Sequence, residues 1–220
     1  MGRQATLDRM SEYTQDQHGL ITRAQALALA ISDQLLEHYL RAGDLERVAR
    51  GVYRFRRDVP LPDQDIWAAW LQLAPERPAW ERDREPVPDA IASHATAAHL
   101  YGLGVLFPHP FEFTLTRARR TRRRELRLYV AAVARDEWES LDGLPATRPL
   151  RIVTDLLSTH RDPDHVAHAM VDALDRGLVT EADLRGALAS FSSELGGPAG
   201  DGDYVLGYLR EQAAGELRPG

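Results

Sequence analysis

The sequence predicts an α+β, mainly helical protein in two parts, and three observations carry that prediction. Residues 19–57 run helix, turn, helix and then two short β-rich segments joined through a glycine. Asp58-Val-Pro-Leu-Pro then interrupts the chain. Beyond it, alternating segments flank a dense arginine run and give way to four helical stretches.

The elements follow in chain order. A helix over 7–17 opens the chain. Thr22 then caps a short apolar helix through Ala24, Leu27 and Ala28, its hydroxyl free to accept from the N–H groups of the first turn. Ile31 and Ser32 make a turn, and Ser32 caps a second helix running to Arg41. Gly43 supplies the left-handed residue on which helices commonly end. The runs 45–49 and 52–55, joined through Arg50-Gly51, carry the alternation and glycine connection of a hairpin. Three helices and a basic hairpin in this order make a winged helix-turn-helix, expected over 1–57. Pro60 and Pro62 block regular helix, so a boundary is expected there and a second domain over 63–220.

That second domain is expected to be mixed, with a small β element and a helical bundle. Helical spacing of Ile66, Trp67, Trp70 and Leu71 predicts a helix over 63–73, and 75–88 reads as loop. A buried helix is expected over 91–103 with Ser93 as its cap, and strands over 111–116 and 125–133. Helices follow at about 149–159, 163–176, 180–190 and 202–214, the third marked by Thr180 and Asp183 at capping-box spacing. Residues 216–220 are expected to fray.

Composition excludes several chemistries. Cysteine is absent, which removes disulfides, thiolate metal sites and thiol nucleophiles together. Lysine is absent too, and all 27 basic residues are arginine, so a P-loop, a Schiff base and a lysine-dependent nuclease site are excluded. Charged residues inside the first dozen positions fit no signal peptide, and no apolar run is long enough for a membrane helix. A cytoplasmic protein with no membrane partner is expected. His94 and His99 share a helical face poorly, and His165 and His168 could share one with Asp164 or Asp172 near, but without cysteine or an HExxH-type arrangement neither metal nor cofactor is expected. Asp162/Asp164 and Asp201/Asp203 sit at helix starts, where carboxylates cap and oppose the dipole. No Ser-His-Asp spacing or glycine-rich phosphate loop appears, so no enzyme is expected.

The net charge of −6 is unevenly spread. Residues 1–57 hold 9 Arg against 7 acids and 117–135 hold 8 against 1, whereas 136–220 hold 7 against 16. A polyanion responds to the local patch more than to the total. On the second helix Ser32, Asp33, Gln34, Glu37, His38 and Arg41 face outward. Gln34 suits adenine, and His38 and Arg41 suit phosphate or guanine, whereas Asp33 and Glu37 oppose phosphate. Arg23, at the start of the preceding helix, joins this DNA-facing set with Ser32. Arg47, Arg50, Arg54 and Arg56 supply the wing; 50, 54 and 56 are spaced by even numbers and would share one face of an extended strand. A second basic patch comprises Arg117, Arg119, Arg120, Arg122, Arg123, Arg124 and Arg127, suited to duplex DNA, to an acidic protein face, or to a solvated hairpin tip.

Three segments together resemble the AbiEi-type antitoxins of type IV toxin–antitoxin systems: ITRAQALALAIS with LLEHYLRAGDLERVARGVYRF, SHATAAHLYGLGV at 93–105, and RIVTDLLSTHRDPDHVAHAMVDALDRGLVTEADLRGAL at 151–188. The resemblance implies a winged helix that binds and represses the operon's own promoter. It also implies a C-terminal domain that opposes a nucleotidyltransferase toxin without requiring a stable complex. The wing matches the family's positive charge, whereas Asp33 and Glu37 depart from it. A monomer, or a dimer on an inverted repeat, is expected. The competing readings are a protein-interaction module built on the winged helix and a stand-alone regulator without a toxin.

Overall fold

A computed structural model of the chain describes residues 2–119 and 121–215; Arg120 and the stretch 216–220 expected to fray lie outside the described residues. The chain forms two compact units, one ending at Ala90 and one beginning at Ile91. The architecture is α+β, with one three-stranded and one five-stranded sheet.

In the first unit, α1 (Arg3–Thr14) leads through a single 3-10 turn to β1 (Leu20–Thr22), α2 (Arg23–Ala28) and α3 (Asp33–Ala42). β2 (Leu45–Ala49) and β3 (Val52–Phe55) form the hairpin. The caps are those expected. Thr22 and Gln25 make a reciprocal capping box, Ser32 Oγ accepts from Leu35 N at 3.3 Å, and Gly43 ends α3 at φ +79°. Leu7, Met10, Ile21, Ala26, Ile31, Leu36 and Tyr39 pack together with the strand residues Leu45, Tyr53 and Phe55. The apolar stripe expected on α2 is displaced: Gln25 and Ala26 are buried, while Leu27 is exposed.

β1 is a strand that the sequence reading lacks. It pairs antiparallel with β3, giving the order β1-β3-β2, so β3 is central and all four of its residues are buried. This overturns the expectation that Arg50, Arg54 and Arg56 share an exposed wing face.

The boundary at 58–62 also moves. After the proline linker, α4 (Gln64–Leu71) packs on β2 and α5 (Ala79–Asp83) follows. The Thr22 hydroxyl donates to the Pro75 carbonyl, Gln25 Nε2 donates to Arg77 O at 3.0 Å, and Gln17 Oε1 accepts from Ala79 N at 2.9 Å. Gln17 and Gln25 are fully buried, so residues 75–79 complete the polar accounting of the first unit's core. Arg82 lies over the Trp70 ring at 3.4 Å and donates to Trp70 O and Asp89, closing the segment expected to be loop.

The second unit has a five-stranded sheet of order β6-β5-β4-β8-β7. Its strands are β4 (Ala90–Ala92), β5 (Phe111–Leu115), β6 (Leu126–Val130), β7 (Trp138–Leu141) and β8 (Leu144–Thr147). β5 pairs parallel with β6, and β4 parallel with β8. The helix expected over 91–103 is shorter, α6 (His94–Tyr101), because Ile91 and Ala92 belong to a strand. Ser93 occupies the cap position without a side-chain capping bond. The four C-terminal helices stand where helical spacing puts them: α7 (Pro149–Ser158), α8 (Pro163–Asp175), α9 (Glu181–Leu188) and α10 (Gly202–Gly215). Thr180 and Asp183 form the capping box at the head of α9. Ile152, Leu156, Val166, Met170, Leu184 and Leu209 are central to their shared core.

Candidate nucleic-acid interface

α3 presents Ser32, Asp33, Gln34, Glu37, His38 and Arg41 to solvent, while Leu36 and Tyr39 are buried. The helix is amphipathic, so its outward face is set by the need to bury the other. Both acids on that face have a cation beside them. Arg23, at the start of α2, donates from Nε to Asp33 Oδ1 at 2.6 Å and makes a second bond to the other oxygen. The guanidinium holds the Asp33 carboxyl below the usual carboxylate range. Glu37 lies 4.0 Å from Arg41, one turn on. Arg23, Asp33, Glu37 and Arg41 are all more than half exposed, so both pairs are worth little and open readily to a competing phosphate.

The wing tip is tied to the start of α2. Arg23 N donates to Gly51 O at 2.8 Å, and Gly51 adopts φ +72°, which lets the two-residue connection close. Gln72 Nε2 donates to Arg50 O at 2.7 Å, fixing the backbone of the tip from the other side. The first turn of α3, Arg23 and the tip residue Arg50 therefore form one continuous surface. The Arg50 side chain is exposed and has no partner among the described residues. Arg47 is exposed with its guanidinium 5.8 Å from the Tyr53 ring centroid, and Arg56 is exposed 4.0 Å from Glu46.

Arg54 does not belong to this surface. Its side chain is 9 % exposed, pairs with Glu46 directly across the sheet, and donates to Asp58 O at 2.6 Å. It fastens the end of β3. Arg57, left out of the expected set, is exposed with its guanidinium over the Phe55 ring at 5.0 Å.

In the second unit the arginine run is a crossover loop and not a hairpin tip, because the strands it joins are parallel. Arg117, Arg119, Arg122, Arg124 and Arg127 are exposed, and Arg123 is half-buried against Glu125 at 2.8 Å. Arg120 lies outside the described residues.

Beside this loop lies a polar cluster that the sequence reading did not assemble. The fully buried Glu112 accepts from Ala95 N and Tyr129 Oη at 2.9 Å each and from Arg161 at 2.6 Å, with Arg127 at 3.5 Å. His94 stacks on Tyr129 with ring centroids 3.7 Å apart, and its Nδ1 lies 2.9 Å from Ser93 Oγ. Burial, then the charges of Arg161, Arg151 and Arg127, push the imidazole down to about 3. Glu112, its charge met by Arg161, and the neutral His94, stacked on Tyr129, tie β5, β6 and the start of α6 together; the imidazole is not poised as a base near neutral pH. Asp155, bonded to Arg151 at 2.7 Å, is pushed up to about 6 by burial. Among the described residues no group of three or more His, Asp or Glu side chains could hold a metal ion. Nor, among them, is any helix long and apolar enough to cross a membrane.

Residues 8–56 match the family model described as "Transcriptional regulator, AbiEi antitoxin". The match begins in α1 and ends just past β3, so it takes in α3, Arg23 and the wing. Over those residues the chain is similar to AbiEi antitoxins and transcriptional regulators. The other two resembling segments, at 93–105 and 151–188, lie beyond the matched residues. No curated protein matches the chain.

Proposed function

We propose that the chain is a non-enzymatic antitoxin of a type IV system, repressing its own operon and counteracting a nucleotidyltransferase toxin. The first unit acts as a winged helix-turn-helix on promoter DNA. The observation that carries this reading is the coincidence of the family match with the continuous exposed surface of α3, Arg23 and Arg50. The N-terminal turns of α3 enter the major groove, where Gln34, His38 and Arg41 reach base edges and phosphates. Arg47, Arg50 and Arg56 hold flanking phosphates, and Arg54 is withdrawn from the contact set because Glu46 and Asp58 occupy it.

A gel-shift titration on the gene's own upstream region tests the regulatory half. Arg50→Ala is expected to weaken binding several-fold across sequences and to lower the salt slope by about one phosphate contact. Gln34→Ala is expected to relax sequence preference instead. Absence of any shift at low salt sinks the promoter reading. The antitoxin half is tested by co-expression with a nucleotidyltransferase encoded alongside, where failure of the chain to restore growth sinks it. Asp33 and Glu37 on α3 favour a second reading, in which this face docks a protein. Unchanged DNA binding with lost toxin rescue on mutating Arg50 would select it.

A further inference from the structure

The loop between α6 and β5 holds an aromatic ring out in solvent, Phe107, at 83 % exposure. The backbone beneath it is braced. Leu106 is buried in the unit, Gly104 N donates to Asp172 Oδ2 at 2.7 Å, and Thr96 Oγ1 donates to Pro108 O at 3.3 Å. Gly104 adopts φ +62°, and a Cβ there would sit 3.1 Å from Ala169 N, so glycine lets the loop close on α8. A ring presented on a fixed backbone loses little ordering entropy when a ligand stacks on it.

Beside the ring lies a groove of about 570 Å³, walled by His109, His165 and His168. No carboxylate lines it among the described residues. That volume accepts a flat ring of nucleobase size, and imidazole nitrogens supply donors and acceptors for its edge. Arg161 also borders the groove, but it is committed to Glu112 and brings no free charge.

The free cations come from the crossover loop, which ends at the same place. The His109 ring stands edge-on to Phe111 with centroids 5.3 Å apart. Phe111 N donates to Glu125 O at 2.9 Å, and Leu126 lies opposite Phe111 in the parallel register. Glu125 is the one acid between residues 117 and 127, and Arg123 already holds it. Arg122 and Arg124, on either side of Arg123, are exposed and have no acidic partner among the described residues.

We propose that this face binds single-stranded nucleic acid. Phe107 stacks an unpaired base, the histidines meet its edge in the groove, and Arg122 and Arg124 hold the neighbouring phosphates. An exposed aromatic platform beside a basic strip is the pairing that single strands require. A duplex keeps its base faces stacked inside and would use the arginines alone. The site lies outside the winged helix and needs no complex with a toxin. It therefore stands or falls independently of the promoter and antitoxin readings.

The test is fluorescence anisotropy of the full chain with labelled single strands of about 12 nucleotides, one RNA and one DNA, and with a duplex of the same sequence. Phe107→Ala is expected to weaken single-strand binding about tenfold and to leave duplex binding unchanged. Phe107→Trp is expected to bind as the unmodified chain does. Phe107→Leu, which keeps apolar surface without a π face, is expected to behave as the alanine variant. Arg122→Ala combined with Arg124→Ala is expected to flatten the slope of log affinity against log salt by about 1.4, two single-strand phosphate contacts. All three side chains are exposed, and unchanged melting curves verify the fold. Binding of either strand supports the site, and the tighter of the two identifies RNA or DNA as its source. Single-strand affinity that survives both Phe107→Ala and the double arginine variant overturns the proposal. Full binding by Phe107→Leu overturns it in favour of an apolar protein contact, and equal losses on strand and duplex overturn it in favour of duplex DNA. A missing promoter shift with single-strand binding intact sinks the regulatory reading alone.

Discussion

Position 94 holds a histidine in left-handed backbone, φ +52°, with its ring buried against Tyr129. A non-glycine residue in that conformation costs about 1–3 kcal/mol and persists only where its surroundings determine it. Stacking on Tyr129 and the contact with Ser93 do so here. The titration consequence has a definite sign. The folded state holds His94 neutral down to about pH 3, whereas the unfolded chain takes up its proton near 6.5. The unfolded state therefore binds more protons between those values, and His94 contributes stability that is present above about pH 6.5 and lost as pH falls. Asp155 works the other way. Its folded value near 6 lies above the unfolded 3.8, so its contribution is lost as pH rises from about 4 to 6. The two slopes oppose one another over that interval, each at most about 1.4 kcal/mol per pH unit. Asp155→Asn is expected to expose the histidine slope, a steady gain of stability from pH 4 to 6 in urea melts. His94→Asn, which tolerates left-handed backbone without titrating there, is expected to expose the opposite one. Identical pH profiles for both variants would refute the assignment.

At the scale of elements, the parts legible in the sequence are those whose signal is local. Thr22, Ser32 and Thr180 cap helices because a hydroxyl three residues before a free N–H is a short-range arrangement, and Gly43 stops α3 for an equally local reason. β1 is three residues long, too short for alternation to register, and its pairing with β3 is what buries Arg54. An even spacing of arginines cannot reveal that one of them, Arg54, is buried in a central strand. The β7–β8 hairpin did carry a signal: Asp142-Gly143, both at positive φ, is the two-residue turn that such hairpins favour. Glu112 and Arg161 are 49 residues apart, and only the parallel sheet and the α7–α8 connection bring them together. The acids of α3 are a further case, since their partner Arg23 sits on another helix. Asp33→Asn removes a charge that faces phosphate and releases Arg23. Promoter affinity is expected to rise several-fold, with a salt slope steeper by about one contact. Weaker binding after this substitution would place Asp33 among the specificity contacts instead.

Over the whole molecule, the proline pair at 60 and 62 marks a linker between β3 and α4 and not the end of a compact unit. The first unit's core includes two fully buried glutamines, and a buried amide must find partners or cost about 1–3 kcal/mol. Gln17 bonds Gln25 and Leu20 O within the early segment, but its oxygen also accepts from Ala79 N, and Gln25 reaches Arg77 O. Thr22 reaches Pro75 and Gln72 braces the wing tip. Ending the chain at Arg57 removes all four of these bonds and strips α4 from β2, against a total stability of about 5–15 kcal/mol for a domain. A chain of residues 1–90 is therefore expected to melt cooperatively in thermal circular dichroism and to retain the promoter shift. A chain of residues 1–57 is expected to show a broad, weak transition and to lose the shift, because Arg50 and α3 are then no longer held against each other. Equal midpoints for the two chains would return the boundary to the prolines and make α4 an appendage of no consequence to DNA binding.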